Sequence, residues 1–362
     1  MTGSDIALAT LRREPVDQPC INYSWMTSAS YMSRVAGRDY WLDREGVFFD
    51  YLDRCQINFV PQWYFPDQAQ RNIEEGHLAH EPKPGGSLDM SSPEDVVRWI
   101  DRLPDDAQVE SRFDISQAAK DYAEVLWQRI DRTNGQVLFI GSYGQADFMG
   151  GYTRWGYENY LIALQDYPDA LRRYYHHSAL KSRLHNTAIV LACRKYGIAP
   201  FAYTGQDICT SKGPIVSPEL LREFYFPELK WCVEPLSDAG IGMIWHCDGD
   251  IRPILPDIMD LGVMGLQGFE EEHGVRYEDL VRLKDPEGEP ISIWGCVSVI
   301  STLPHGTVED VKRSVERSFT LAGKGRGFIL SSTSSVMPEV PHENIDAFFH
   351  HGREFGREFL SR

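Results

Sequence analysis

Basic residues are scarce in this chain. Its 53 Asp and Glu outnumber 36 Lys and Arg, giving a formal net charge of −17. That balance argues against nucleic acid or an anionic membrane surface as a partner, because either needs a basic face. No apolar stretch is long enough to span a bilayer, and no basic N-terminus leads into an apolar run. The cysteines number 7, an odd count with no CxxC spacing. A disulfide framework is therefore not expected, and a reducing, cytoplasmic setting is. Neither a GxGxxG nor a Walker-type loop occurs, which removes the simplest nucleotide-binding readings. No linker-like composition divides the 362 residues.

Apolar and aromatic residues are plentiful. At 42% hydrophobic residues the chain can bury a sizeable core. The 9 Trp and 17 Tyr either pack that core or line a pocket. One stretch organises the rest. Met243-Ile244-Trp245 reads as a short buried strand that ends in His246-Cys247-Asp248-Gly249-Asp250. An amphipathic helix is expected next, with Ile251, Ile254, Leu255, Ile258 and Met259 at helical spacing. Val263 to Leu266 is a second strand, ending in Gln267-Gly268-Phe269-Glu270-Glu271. This is a βαβ unit with its chemistry at the strand ends, where parallel α/β proteins place their sites.

The same alternation runs along the chain. Further strands are expected at Cys20–Tyr23, Ile57–Val60, Val137–Ile140, Phe201–Tyr203, Ile291–Trp294 and Phe328–Leu330. The tip of the second is Gln62-Trp63-Tyr64. A helix over 39–55 should bury Phe48, Phe49, Tyr51 and Leu52. Ser92-Pro93-Glu94-Asp95, Ser217-Pro218-Glu219, and Thr307 with Asp310 read as helix starts, and a longer helix should cover about 115–133. Pro82-Lys83-Pro84 and Gly85-Gly86 read as turns. Eight strands alternating with helices, and no obvious edge strand, predict a closed (β/α)8 TIM barrel. It forms a single domain over 1–362, with 64–136 as an insertion between strands two and three.

At this point the chain resembles the uroporphyrinogen decarboxylase superfamily, which joins porphyrinogen decarboxylases with corrinoid- and thiol-linked methyltransferases. Ser217 to Phe224 with Pro227 and Lys230 is similar to the family's SPE..REF..P..K helix. His246 to Asp250 resembles its HSCGD strand end. Leu303 to Val311 resembles its GTPEEV helix start, and Pro341 to Ile345 its TP.ENI start. Arg13 to Gln18 weakly resembles an N-terminal PDR turn. The resemblance implies a (β/α)8 barrel, in agreement with the strand count.

The methyltransferases resembled here bind zinc through a His-x-Cys pair and a later Cys. This chain keeps His246 but has Cys247 one position early, Asp248 in place of the Cys, and Ser334 at the later Cys position. Zinc accepts Asp oxygen, so His246 and Asp248, with Glu270 or Cys296, remain candidate ligands. The decarboxylases need no metal; the arginines of their RQAGRY segment bind substrate carboxylates. Arg34 to Tyr40 is a partial echo of that segment, and a surface turn after a helix gives the same letters.

His246 is expected as a ligand or a general acid/base rather than a structural imidazole. Asp207 follows a strand where the family often has an acidic residue. The candidate catalytic residues are His246, Asp248, Asp207, Glu270 and Tyr143; the candidate metal ligands are His246, Asp248 and Cys296. Asp250 is expected to cap the following helix. Gln206 and Gln267 are further strand-end residues that can line a pocket. The doublets His176-His177 and His350-His351 read as solvated helix faces.

Three functions stand beside one another. The first is a methyltransferase-like enzyme moving a methyl group between a small substrate and a corrinoid protein or thiol, with zinc as a candidate metal. The second is a decarboxylase without cofactor. The third is a non-catalytic barrel that binds a small ligand. A basic pocket built from Arg34 and Arg38 would favour the second. A homodimer is compatible with each.

Overall fold

A computed structural model describes residues 1–63, 66, 88 and 90–362. The expected turns at Pro82–Pro84 and Gly85–Gly86, and the strand tip at Tyr64, lie outside the described residues, as does part of the expected insertion. The described part of that insertion contains helices Pro93–Ile100, Asp106–Arg112 and Ile115–Arg132. The first opens on a capping box between Ser92 and Asp95, with Pro93 where a missing N–H costs nothing.

The fold is mixed α/β around a curled parallel sheet. Its strands are β1 (Phe59–Val60), β2 (Leu138–Phe139), β3 (Gly141–Ser142), β4 (Phe201–Gly205), β7 (Gly242–His246), β8 (Gly265–Gln267), β9 (Ser292–Val297) and β10 (Ile329–Ser332); a small antiparallel hairpin, β5 (Cys209–Thr210) and β6 (Gly213–Pro214), follows β4. Six strands pair in the order β10-β9-β8-β7-β4-β3, and β1 pairs with β2. Only Ile140 separates β2 from β3, so one extended segment serves both pairings. Ile21 bridges to Leu330 and Asn22 to Phe59, both parallel.

Parallel strands covered on both faces read as unbroken apolar runs. Met243, Ile244 and Trp245 in β7 are accordingly all buried. Inside the curl, the fully buried Trp294 stands edge-on to Phe59 at 4.9 Å and stacks on Tyr203 at 5.8 Å. Burial of a ring this size contributes about 3 kcal/mol. The Tyr203 hydroxyl donates to Gln267 Oε1 at 2.9 Å.

Several elements depart from expectation. The helix after β7 is only Leu255–Met259. Pro253 and Pro256 have no N–H for the ladder, so Ile251 and Ile254 are buried ahead of the helix instead. The helix opened by Ser217 reaches Asp238, but Leu221–Tyr225 forms a π turn in which the Phe226 N–H donates to Leu221 O. Pro227, which cannot donate, follows at once. In helix Arg44–Arg54, Val47 joins Phe48, Tyr51 and Leu52 in the core. Phe49 is half-buried under the Arg132 guanidinium instead. The histidine doublets are not simply solvated. His176 is half-buried between Asp106 and Glu228 and stacks on Trp231, and His351 pairs with Glu316.

Candidate metal centre

The register of three adjacent strands builds the site. Gly205 lies opposite His246, and His246 opposite Gln267. His246 is the last residue of β7, and Asp207 follows β4 by two residues. The His246 side chain is 16% exposed. Its Nδ1 lies 3.1 Å from the Gln267 carbonyl oxygen, which can only accept. That contact places a proton on Nδ1, so that in the neutral ring Nε2 carries the lone pair. Nε2 is 3.6 Å from Asp207 Oδ1 and 3.6 Å from Asp248 Oδ1.

Two glycines give the imidazole its room. A β-carbon on Gly205 would lie 2.6 Å from His246 Cβ. Gly268, at φ +81, faces the His246 ring, and a side chain there would also meet Thr333 O at 2.8 Å. Neither glycine was singled out from the sequence. The available signal was a glycine at the end of an apolar strand run, beside a polar strand tip.

The carboxylates are held as tightly. The Asp248 N–H donates to Asp207 Oδ1 at 3.1 Å, and Ser334 Oγ donates to Asp248 Oδ2 at 3.1 Å. Asp248 Oδ1 is buried without a hydrogen-bond partner. Burial pushes the Asp248 carboxyl above its ordinary value; His246 opposes the shift and Asp207 adds to it. Leaving a carboxylate oxygen buried and unsatisfied is costly. The ligand atoms of Asp207, His246 and Asp248 all lie within 4.8 Å of one another. A tetrahedral cation with bonds of roughly 2.1 Å needs donors roughly 3.4 Å apart. The residues therefore fit a divalent cation bound by one nitrogen and two oxygens, with the Nδ1–H anchored to a backbone carbonyl as metal-binding histidines commonly are.

Other expected residues fall elsewhere. Cys296 does not belong to this group. Its buried thiol turns to the helix side of β9, facing the Tyr277 and Ser318 hydroxyls, and burial pushes it well up. Asp207 takes the third position instead. Cys247 is fully buried, and its Sγ donates to the Asp248 carbonyl at 3.1 Å, away from Nε2. Glu270 lies behind the group. Its Oε2 accepts from Gly249 N–H at 3.3 Å and is 2.8 Å from His273 Nδ1. Burial and then Asp248 raise its carboxyl. Tyr143 is buried, and desolvation, then Cys232, raises its phenol.

Gln206 and Gln267 are structural. Gln206 accepts from the Phe148 and Met149 N–H groups and donates to Ala146 O. Gln267 donates to Ser332 O and Thr333 O. Asp250 accepts from Arg252 N–H, and the Arg252 guanidinium holds its carboxyl below the usual range. Arg34 pairs with Asp346, and Arg38 with Asp43 and Asp50.

Residues 149–355, more than half of the chain, match the family described as uroporphyrinogen decarboxylase (URO-D). That span contains Asp207, His246, Asp248 and Ser334. Among solved structures, a methyltransferase from Methanosarcina mazei is similar in fold, with a TM-score of 0.61 at 17% identity. The likeness covers 98% of this chain and 99% of that one. No curated protein sequence matches.

Proposed function

Because the chain belongs to the uroporphyrinogen decarboxylase family, we propose that it is a methyltransferase-like member, moving a methyl group between a small substrate and a corrinoid protein or thiol. The observation that carries this reading is the His246, Asp207 and Asp248 group with its unsatisfied Asp248 oxygen. A divalent cation bound there supplies a Lewis acid that lowers the pKa of a coordinated acceptor. His246 would hold the cation through Nε2, with Gln267 O fixing the ring from Nδ1. Ser334, at the position of the family's later cysteine, holds Asp248 Oδ2 instead of binding metal itself. An N,O,O set is harder than a thiolate site, so it favours zinc less and manganese or iron more. Glu270, its carboxyl raised by burial and then by Asp248, lies beside the site 2.8 Å from His273 Nδ1. Tyr143, buried just past β3, remains a candidate catalytic residue in this reading.

Decarboxylation without cofactor draws support from the raised Asp248 and Glu270 carboxyls, either of which can protonate a carbanion. It also needs cations for substrate carboxylates, and Arg34 and Arg38 lie in ion pairs with surface acids. That observation favours methyl transfer.

The same reading takes the sheet as a closed (β/α)8 barrel in one domain, with 64–136 as an insertion between the second and third strands. The bridges from Ile21 to Leu330 and from Asn22 to Phe59 support closure. A cytoplasmic setting fits the seven free cysteines. Among the described residues, no helix is long and apolar enough to cross a membrane.

Elemental analysis of protein purified without chelator tests the reading. About one equivalent of divalent metal is expected, lost in His246→Ala together with methyl transfer from methylcobalamin to a thiol. Cys247→Ala and Cys296→Ala should leave metal content unchanged. Stoichiometric metal that survives His246→Ala but disappears in either cysteine variant would overturn the ligand assignment.

A further inference from the structure

A cavity of about 590 Å³ lies at the amino ends of the strands, opposite His246. Ile21, Asn58 just before β1 and Val137 just before β2 wall one side of it. Arg353 and Arg357, one turn apart on the C-terminal helix His342–Ser361, wall another. Arg353 is 9% exposed, the only lysine or arginine among the described residues that is buried. One of its terminal nitrogens donates to Cys55 O, and the other lies 2.8 Å from His350 Nδ1. Arg357 Nε donates to Gln18 Oε1 at 2.6 Å. Among the described residues, neither guanidinium meets a carboxylate.

Buried charges are normally paired. Arg13, at the same end of the strands, shows the usual solution, meeting the buried Asp285 at 2.6 Å. Arg353 partly answers to the C-terminal end of helix Arg44–Arg54 through Cys55 O. With His350 Nδ1 that accounts for two donors of five and for no full charge. A guanidinium does not escape by losing its proton. The cavity's own acids do not compensate it. Asp50 is taken by Arg38, and Arg132 is neutralised by Glu45. Asp53, the remaining acid of the wall, is exposed. Gln56 and Asn134 also line the cavity, each with φ near +50, and backbone held in that region is often held for a reason.

We propose that Arg353 and Arg357 form a binding site for a small molecule that carries one oxyanion group, a carboxylate or a phosphate. The cavity is large enough for a metabolite rather than a bare ion. The planar guanidiniums suit two-point recognition of such a group. This site is independent of the metal reading, because it lies at the other end of the strands.

Isothermal titration of the full chain with inorganic phosphate, and separately with propionate, tests the site at an ionic strength held constant with chloride. Saturable binding of one or both is expected, and which one binds identifies the group. Arg357→Gln, at an exposed position, should weaken it at least about tenfold with metal content unchanged. Arg353→Met should weaken it further; if that variant does not fold, Arg357→Gln carries the test alone. Binding should persist in His246→Ala. No heat above the chloride control would overturn the proposal. So would binding that Arg357→Gln leaves intact, or binding that His246→Ala removes.

Discussion

At the carboxyl ends of the strands, Asp248 keeps a buried oxygen with no partner; at the amino ends, Arg353 keeps a buried guanidinium with no carboxylate. The two charges cannot satisfy each other. A five-residue strand such as β7 holds the ends roughly 16 Å apart. Each end therefore has to find its counter-charge locally or from outside. At the amino end Arg13 is answered by Asp285 within the fold, and Arg353 meets no carboxylate among the described residues. The carboxyl end gathers Asp207 and Asp248 around one imidazole, and their ligand atoms lie within 4.8 Å of one another. The difference teaches that an unpaired buried charge is informative only beside a paired one in the same surroundings.

Three experiments break or sharpen that comparison. The largest effect is expected at the closed pair. Arg13→Ala leaves Asp285, whose side chain is 1% exposed, without its partner. Denaturant unfolding should show a loss of about 3 to 5 kcal/mol. A loss below about 1 kcal/mol would mean that water reaches Asp285, and the contrast with Arg353 would disappear.

A smaller effect is expected at the other end. Gly268→Ala combines a left-handed backbone with a collision against the His246 ring. It should cost about 2 kcal/mol and weaken metal binding at least about tenfold by turning the imidazole. Gly240→Ala is the control. It has a similar φ, +67, and nothing near its added carbon, so it should cost about 1 kcal/mol and leave metal binding alone. Equal effects of the two on metal affinity would refute the steric argument.

The smallest effect lies on the outer wall, where a paired charge meets water. Burial works against the charged form of His176, but Glu228 and Asp106 outweigh it and hold the pKa above its ordinary 6.5. A raised folded pKa contributes stability that is complete below the unfolded value and disappears as pH rises through the folded one. His176→Gln should therefore be less stable than the parent near pH 6, and the gap should close above neutrality. With 41% of the side chain exposed, screening limits the gap to about 0.5 kcal/mol. A gap that widens with pH would reverse the assignment.

Strand positions from Ile57 onward and most helix starts were legible because they are local; the strand expected at Cys20–Tyr23 is only the two bridges at Ile21 and Asn22. Buried parallel strands show as apolar runs such as Met243-Ile244-Trp245. Caps such as Ser92 with Asp95 and Thr307 with Asp310 act over three residues. The helix after β7 is shorter than its apolar spacing predicts, because Pro253 and Pro256 have no N–H for the ladder. At the site, His246 and Asp248 were legible as a strand tip, and Asp207 as another. That Asp207 rather than Cys296 completes the group was not, because a residue at a strand end can turn inward or toward the helices.

The sequence alone determined the alternation of strands and helices, the acidic surface and the family motifs, since each rests on residues near one another in the chain. Only the tertiary structure decided which strand tips share one imidazole, that Gly205 and Gly268 make room for it, and that Arg353 is buried without a carboxylate. Those depend on register and on the side chains' directions across strands far apart in sequence. Contacts of that kind form only when the sheet curls and brings its two ends into being.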